Sequence, residues 1–448
     1  MTVTEQHQPA YATGWPPIPK DATLPPGPRW PALVQSLAFI RFRHAFLPYL
    51  HRKYGDVFTV RVIPDGRAIV LFRKPEDIKE IFAGDPEDFH AGKGNAILGV
   101  IMGEHSLLLV DGAQHKRARK LLMPAFSHGP LKGYEEIVTG IAAAEADSWT
   151  TGTAFRSLDR MNALTLEVII RVVFGVTDEA RLAELRPLVN RVVNVSPALL
   201  MGISYPWMRR FGMWRSFVET QEKLDAVLYA EIAERRRATD LDARNDVLSQ
   251  LIRVGDSEGE APLDDAELRD QLVTLLLAGH ETTATALAWT FYELGRAPEL
   301  LARAQPAADE GDDAYLEAVF KESMRLHPVI PMVVRLLMKP ATIGGIELPA
   351  GVSAAPSIIL SHQTNFEDAS SFNPDRFLDG RVTPNTWIPF GGGVRRCIGA
   401  GFSLMEGVAV LREVLRRYDV HTEGDDEPLV RNITSVPKRG ARITVRTR

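Results

Sequence analysis

Hydrophobic residues recur every three or four positions through most of this chain, and every second position in only a few short stretches. Leu33, Leu37, Ile40 and Leu47 carry the helical period over residues 32–54, and Gly55 stops it. The same period predicts helices at 75–82, 114–123, 131–149, 156–174, 181–194, 216–238, 245–253, 264–296, 298–305, 313–326 and 401–418. VFTVRV (57–62) and AIVLF (68–72) read as strands, joined by Pro64-Asp65-Gly66 in a hairpin signature. Residues 333–338, 342–347 and 352–358 also read as strands, and a pair near 429–434 and 441–446 closes the chain.

Length alone suggests two or three domains for 448 residues. No repeat or long polar linker divides the pattern, so the expectation is one large, mainly α domain over 32–448 with a small β region gathered from both ends. Residues 1–31 hold eight prolines, which excludes helix and predicts an extended lead-in lying over the body.

Composition is that of a globular protein, 45% hydrophobic and 24% charged, which excludes a disordered or collagen-like chain. A net charge of −5 gives no reason to expect a nucleic-acid partner. With no signal-type leader and no run of eighteen apolar residues, the expectation is a cytoplasmic protein with no membrane span. The one cysteine, Cys397, excludes an intrachain disulfide and any multi-thiolate metal site built by one chain.

Cys397 lies in PFGGGVRRCIGAGFSLMEG, between a run of glycines and an apolar helix. A thiol near a helix N-terminus feels unpaired N–H groups that favour thiolate, and Arg395 and Arg396 add positive charge. Gly399 and Gly401 leave room for a flat body, so the arrangement suits axial ligation of haem iron. A buried structural cysteine and a catalytic nucleophile are the rival readings. Phe390, Gly393, Arg395, Cys397 and Gly399 follow F-x-x-G-x-R-x-C-x-G, and here the chain resembles the cytochrome P450 family. That resemblance implies a P450-like fold holding haem b, with Cys397 as the axial ligand of the iron, Phe390, Gly391 and Gly399 against the cofactor, and Arg395 on a haem propionate.

Other stretches carry further parts of the resemblance. Glu322 and Arg325 share a helix face in KESMRLHP, which unaided reads as a surface ion pair. It matches the family's E-x-x-R, and FNPDRF (372–377) would bring Arg376 into a buried structural network with them. Asp375 stands where the family often has Glu. In AGHETT (278–283), Thr282 follows Ala278 by one turn, and a Thr hydroxyl can bond back to the i−4 carbonyl and open the helix locally. A core helix with one polar turn is the plain alternative. The motif resembles the family's oxygen-binding segment, which implies Ala278 beside the haem, Thr282 as a catalytic hydrogen-bonding group and Glu281 as a proton relay. Thr283 would support them, and His280 could face the pocket. His115 and Arg119, at i and i+4, read either as a solvated basic face or as a site for two anionic groups. They match a propionate-binding element of the family, and Arg335 resembles another such ligand.

The resemblance implies a monooxygenase that uses O2 and oxidises a lipophilic small molecule. No G-x-G-x-x-G follows a strand, so electrons would come from a separate ferredoxin and ferredoxin reductase, docking where Arg395, Arg396 and the basic residues of 114–120 lie. A monomer is expected. Rival readings are a peroxide-driven enzyme, a haem protein without turnover, and a cofactor-free cysteine hydrolase. The substrate pocket is expected in segments 95–109, 194–212 and 330–334, through apolar residues such as Ile97, Leu98, Ile101, Met102, Val329, Ile330 and Val333.

Overall fold

The structure, a computed structural model, describes residues 15–448 apart from 64–65, 176–178, 194–198, 200–207, 258, 381 and 432. In chain order the elements are α1 (Ala32–Tyr54), β1 (Val57–Val62), β2 (Arg67–Phe72), α2 (Pro75–Ala83), β3 (Phe89–His90), α3 (Gly99–Met102), α4 (Gly112–Leu122), α5 (His128–Asp147), β4 (Phe155–Arg156), α6 (Ser157–Phe174) and α7 (Glu179–Val193). There follow α8 (Gly212–Arg236), α9 (Val247–Ser257), α10 (Asp265–Arg296), α11 (Pro298–Glu310), α12 (Asp313–Leu326), β5 (Arg335–Leu337), β6 (Ala341–Ile343), β7 (Ile346–Leu348) and β8 (Ser353–Pro356). The chain ends with α13 (Ile358–Thr364), α14 (Ala400–Leu415), β9 (Tyr418–Thr422), β10 (Pro428–Arg431), β11 (Thr434–Pro437) and β12 (Arg442–Thr447). This is the mainly helical body with a small β region that the sequence predicts.

Helix α10 is the axis of the body. Its start is fixed by a capping box, in which the Glu267 amide donates to Asp264 Oδ1 (2.8 Å) and the Asp264 amide to Glu267 Oε2 (3.0 Å). Beyond that turn it is buried along most of its length, sharing the main core with α5, α6, α12 and α14. Such all-round burial is what an apolar pattern without a polar face produces.

The β region joins the two ends of the chain in one five-stranded sheet of order β1-β2-β8-β5-β3, with β2 and β8 parallel. The expected hairpin of β1 and β2 is present. Three expectations need correction. Gly344 and Gly345, both at positive φ, turn the chain inside 342–347, so that stretch is the hairpin β6–β7. The helix expected over 401–418 ends at Leu415, and Tyr418 enters β9. The closing strands do not pair with each other: β10 pairs with β11, while β12 lies between β4 and β9.

The described part of the lead-in is extended and docked on this sheet. Thr59 donates its amide to the Pro26 carbonyl (2.9 Å) and its hydroxyl to that of Pro25 (2.7 Å), Arg67 lies over the Trp15 ring, and Ile18 and Leu24 join an apolar cluster with Val70 and Leu348.

Candidate functional site

The cysteine loop is a tight bend held from several directions. The Cys397 amide donates to the Phe390 carbonyl (2.9 Å), closing the loop on itself. Gly391 and Gly393 have φ of 65° and 63°, where a side chain would strain the backbone. The glycine run makes room for protein: a Cβ on Gly392 would strike the Phe82 ring at 2.2 Å, and one on Gly393 the Phe82 carbonyl at 2.1 Å. Phe390 packs edge-on to Trp387, whose indole N–H reaches the Lys321 carbonyl of α12 (3.2 Å).

Cys397 sits deep enough for desolvation to push its thiol pKa up, yet its own surface is exposed. Both hold only for a group lining a gap inside the protein. A Cβ on Gly399 would meet nothing within 4 Å, whereas one on Gly401 would press on Leu131, so only the first of these glycines borders open space. Against the desolvation, the Gly399 amide, Arg119 and Arg396 pull the pKa down. Burial thus acts on this thiol against the helix start and the nearby cations.

Four basic residues converge beside this loop. His115 is buried on α4 and held neutral, its pKa pushed down to about 3 by desolvation and by Arg395, Arg119 and Arg335. Arg335, at the start of β5, is buried and, among the described residues, donates to the carbonyls of Val334 (2.9 Å) and Gly392 (3.4 Å). Desolvation, with Arg395 nearby, lowers its pKa to about 10. Neither Arg335 nor Arg119 forms an ion pair among the described residues. Arg395 is different, since it is bound to the Asp111 carboxylate and to the carbonyls of Val110 (2.6 Å) and Leu107 (3.2 Å). Asp111 in turn accepts the amides of Gly92 (2.8 Å) and Lys93 (3.0 Å), tying the cysteine loop to the chain before α4.

On α10, the Thr282 hydroxyl donates to the Ala278 carbonyl at 2.7 Å, one turn back. Ala278 is exposed although the helix on both sides of this turn is buried, which marks a second opening into the interior. Gly279 is explained by a close approach: a Cβ there would meet Ile169 of α6 at 2.8 Å. His280 does not face the pocket. It is buried toward α6, where the Thr165 hydroxyl donates to its carbonyl (3.0 Å), and desolvation lowers its pKa to about 4. Glu281 pairs with Arg431 of β10 (3.3 Å), and burial raises its pKa against that cation. Thr283 bonds Ser403 of α14 (3.1 Å), which holds the open turn of α10 against the helix that follows the cysteine. Leu98, Met102 and Leu109 pack with Leu277 of the same turn. The side chain of Ile97 and most of segment 194–212 lie outside the described residues. A surface groove of about 1080 Å³, lined by Gly133, Gly140 and Arg171 among others, shares no residue with this site.

Glu322, Arg325 and Arg376 meet behind the loop. Arg325 makes a bidentate pair with Glu322 (2.7 and 2.8 Å), both buried, and also donates to the carbonyls of Ala369 and Ser371. Glu322 further accepts the Asn373 amide (2.8 Å) and lies 3.4 Å from Arg376 Nε. His362, which sequence reasoning missed, bridges the network to the loop: Nδ1 lies 3.1 Å from the Arg325 carbonyl and Nε2 accepts the Ile388 amide (3.0 Å). Burial holds it neutral, with a pKa near 3. Asp375 pairs at the surface with Arg303 of α11 (2.8 and 3.1 Å).

The family model described as Cytochrome P450 matches residues 25–445. The chain belongs to the cytochrome P450 family. It is 52% identical over 425 residues to cytochrome P450 135A1 of Mycobacterium tuberculosis, covering 94% of each chain. It is 42% identical over 433 residues to cytochrome P450 135B1 of Mycobacterium bovis, covering 94% of this chain and 91% of the relative. Among solved structures, retinoic acid bound cyanobacterial CYP120A1 matches the fold with a TM-score of 0.82 at 22% identity, over 95% of this chain and 99% of that one. The P450DA haem domain matches with a TM-score of 0.78 at 24% identity, over 97% and 98%.

Cytochromes P450 are haem-thiolate monooxygenases that bind haem b. The donor set of this P450 fits that group. Its single thiol lines an internal gap, and Arg119 and Arg335 stand beside it without carboxylate partners, as two propionates would require. Phe82, Trp387, His362 and Arg431 lie outside every motif used in the sequence reading, and Asp111 opens the His115–Arg119 stretch without a role of its own there. Nothing local in the sequence marks them, because each acts on a partner distant in the chain.

Proposed function

We propose that this P450 oxygenates a lipophilic small molecule, using O2 and electrons from a separate ferredoxin and ferredoxin reductase. The observation that carries the reading is the open turn of α10, where Thr282 bonds the Ala278 carbonyl next to apolar Leu277, Leu98 and Met102. Haem bound through Cys397 supplies the oxygen activation and the thiolate electron donation that favours O–O cleavage. His115, Arg119 and Arg335 would hold its carboxylates, Arg395 would contribute charge while staying on Asp111, and Phe390, Gly391, Gly399 and Ala278 would border its faces. The Thr282 hydroxyl holds a proton at the reacting face. Glu281, its pKa raised by burial, replenishes that proton after turning from Arg431. Glu322, Arg325 and Arg376 keep the cysteine loop in register.

An acidic electron donor would meet the exposed Arg396 and Lys116, since Arg395 is engaged with Asp111 and Arg117 with Glu267. The protein is assigned to the cytoplasm as a monomer, with a catalytic domain of residues 32–448 and a lead-in of 1–31. No helix among the described residues is long and apolar enough to cross a membrane. The retinoid bound by the cyanobacterial structural neighbour agrees with an apolar substrate class. Titrating the ferric protein with fatty acids, terpenoids, steroids and retinoids tests the reading. A spin-state shift, followed by an oxygenated product when ferredoxin and reductase are added, is expected. Turnover of such ligands with peroxide but never with O2 and reductant would contradict it.

A further inference from the structure

Helix α1 is apolar on two faces. Its inner face buries Phe39, Phe46, Leu47 and Leu50 against β1 and α13. Gln35 and Ser36 are also turned inward, where they accept the amides of Arg61 and Ile63 at the end of β1 (both 2.9 Å). The opposite face carries Leu33, Val34, Leu37 and Ile40, all exposed, with Leu33 at 56% and Leu37 at 58%, while Trp30, just ahead of the helix, is exposed and stacks on Phe46 of the inner face. At Phe42 the backbone leaves helical geometry (φ −129°, ψ 22°), and its ring stands 61% exposed beneath Arg41. Ile63, held beside the helix by its bond to Ser36, continues the patch. Scattered exposed apolar residues are ordinary, but a contiguous set of large ones marks a contact surface.

Charge identifies what it contacts. Between residues 15 and 63 the chain has Lys20, Arg29, Arg41, Arg43, Arg52, Lys53 and Arg61 against only Asp21 and Asp56, although the whole protein is net −5. Asp56 is neutralised by Arg73 and Lys74, and Glu427, the carboxylate that senses Arg41, is held by Lys438. Arg29, Arg41 and Arg61 are exposed around the apolar stripe. A second copy of the chain docking face to face would set these cations against their own images. A bilayer with anionic headgroups accepts both the apolar stripe and its cationic border.

We propose that this face of α1, with the end of β1, is a peripheral docking surface for anionic lipid bilayers. The helix lies in the interface with Leu33, Leu37 and Ile40 below the headgroups and Arg29, Arg41 and Arg61 on phosphates. Seated so, the enzyme would draw lipophilic molecules from the membrane in which they concentrate.

The full-length haem-loaded protein should co-sediment with phosphatidylcholine vesicles doped with phosphatidylglycerol, and far less with phosphatidylcholine alone. Leu33→Asp with Leu37→Asp should weaken this binding at least about tenfold. Arg29→Gln or Arg41→Gln should each weaken it about fivefold. These side chains are exposed, so the ferrous–CO spectrum and thermal midpoint of the variants should match the parent. Equal binding to both vesicle types, or no binding to either, overturns the proposal. So does sedimentation velocity showing a dimer that the Leu37→Asp change dissolves.

Discussion

The Thr282 hydroxyl donates to the carbonyl of Ala278 at 2.7 Å, in the turn of α10 where the helix is open between buried stretches. With its one proton on that carbonyl, the hydroxyl oxygen stands at the gap as an acceptor, and it donates to a ligand by rotating off Ala278 without unwinding the helix. Thr282→Ala removes the proton held there. Product formed per reducing equivalent should fall at least ~10-fold while electron uptake continues. Measured peroxide release should rise to match, and unchanged coupling would contradict the assignment.

Glu322 and Arg325 are locked together with no solvent to relieve either if the other is lost. Arg325→Ala should therefore cost about 3–5 kcal/mol in denaturant unfolding. Arg376 has one longer contact to Glu322 and a bond to the Asp368 carbonyl (2.8 Å), so Arg376→Ala should cost only about 1–2 kcal/mol. A reversed order would mean that Arg376, not Arg325, holds the network.

Glu406 is fully buried on α14 with neither carboxylate oxygen hydrogen-bonded, and desolvation raises its pKa from 4.5 to about 8, offset in part by the nearby Thr283 hydroxyl. The folded state keeps this proton at pH values where the unfolded chain has released it. Its contribution to stability is then greatest below about pH 4.5 and declines as pH rises toward about 8. Glu406→Gln carries no such cost, so it should flatten the pH dependence and stabilise the protein at pH 9 by on the order of 3–5 kcal/mol. Chemical denaturation across pH 5–9 measures this, and parallel curves for parent and variant would refute it.

Arg119 and Arg335 act oppositely in the two forms of the protein. With no carboxylate paired to it and Asp111 engaged by Arg395, the buried Arg335 guanidinium opposes folding, so Arg335→Met should raise the thermal midpoint of haem-depleted protein. In haem-loaded protein the same change, and Arg119→Met, should lower haem retention, read as the Soret-to-280 nm absorbance ratio. Equal effects in both forms would remove these residues from the propionate site.

Much of this arrangement is local in the sequence and therefore legible there. The i, i+3 pair Glu322–Arg325, the i, i+4 bond of Thr282 to Ala278 and the cysteine loop each lie within a few residues. The bond of Arg395 to Asp111 is not legible in the sequence, because the two are 284 positions apart and no local pattern joins them. The helix expected over 401–418 overruns α14 by three residues, since Tyr418 follows Leu411 and Leu415 in helical phase although it opens β9. Pairing with β12 decides otherwise, and such pairing is not written in either segment alone. The glycines at 391–393 signalled a close approach correctly, but Phe82, far upstream, is what approaches.

The central claim is that Cys397, the only thiol in the chain, binds haem iron as thiolate. Reducing the purified protein with dithionite, adding carbon monoxide and recording the difference spectrum tests it most directly. The expected result is the red-shifted Soret band of a thiolate-ligated ferrous–CO haem, lost in Cys397→Ser. A band at the position given by neutral axial ligands, unchanged by that substitution, would contradict the account.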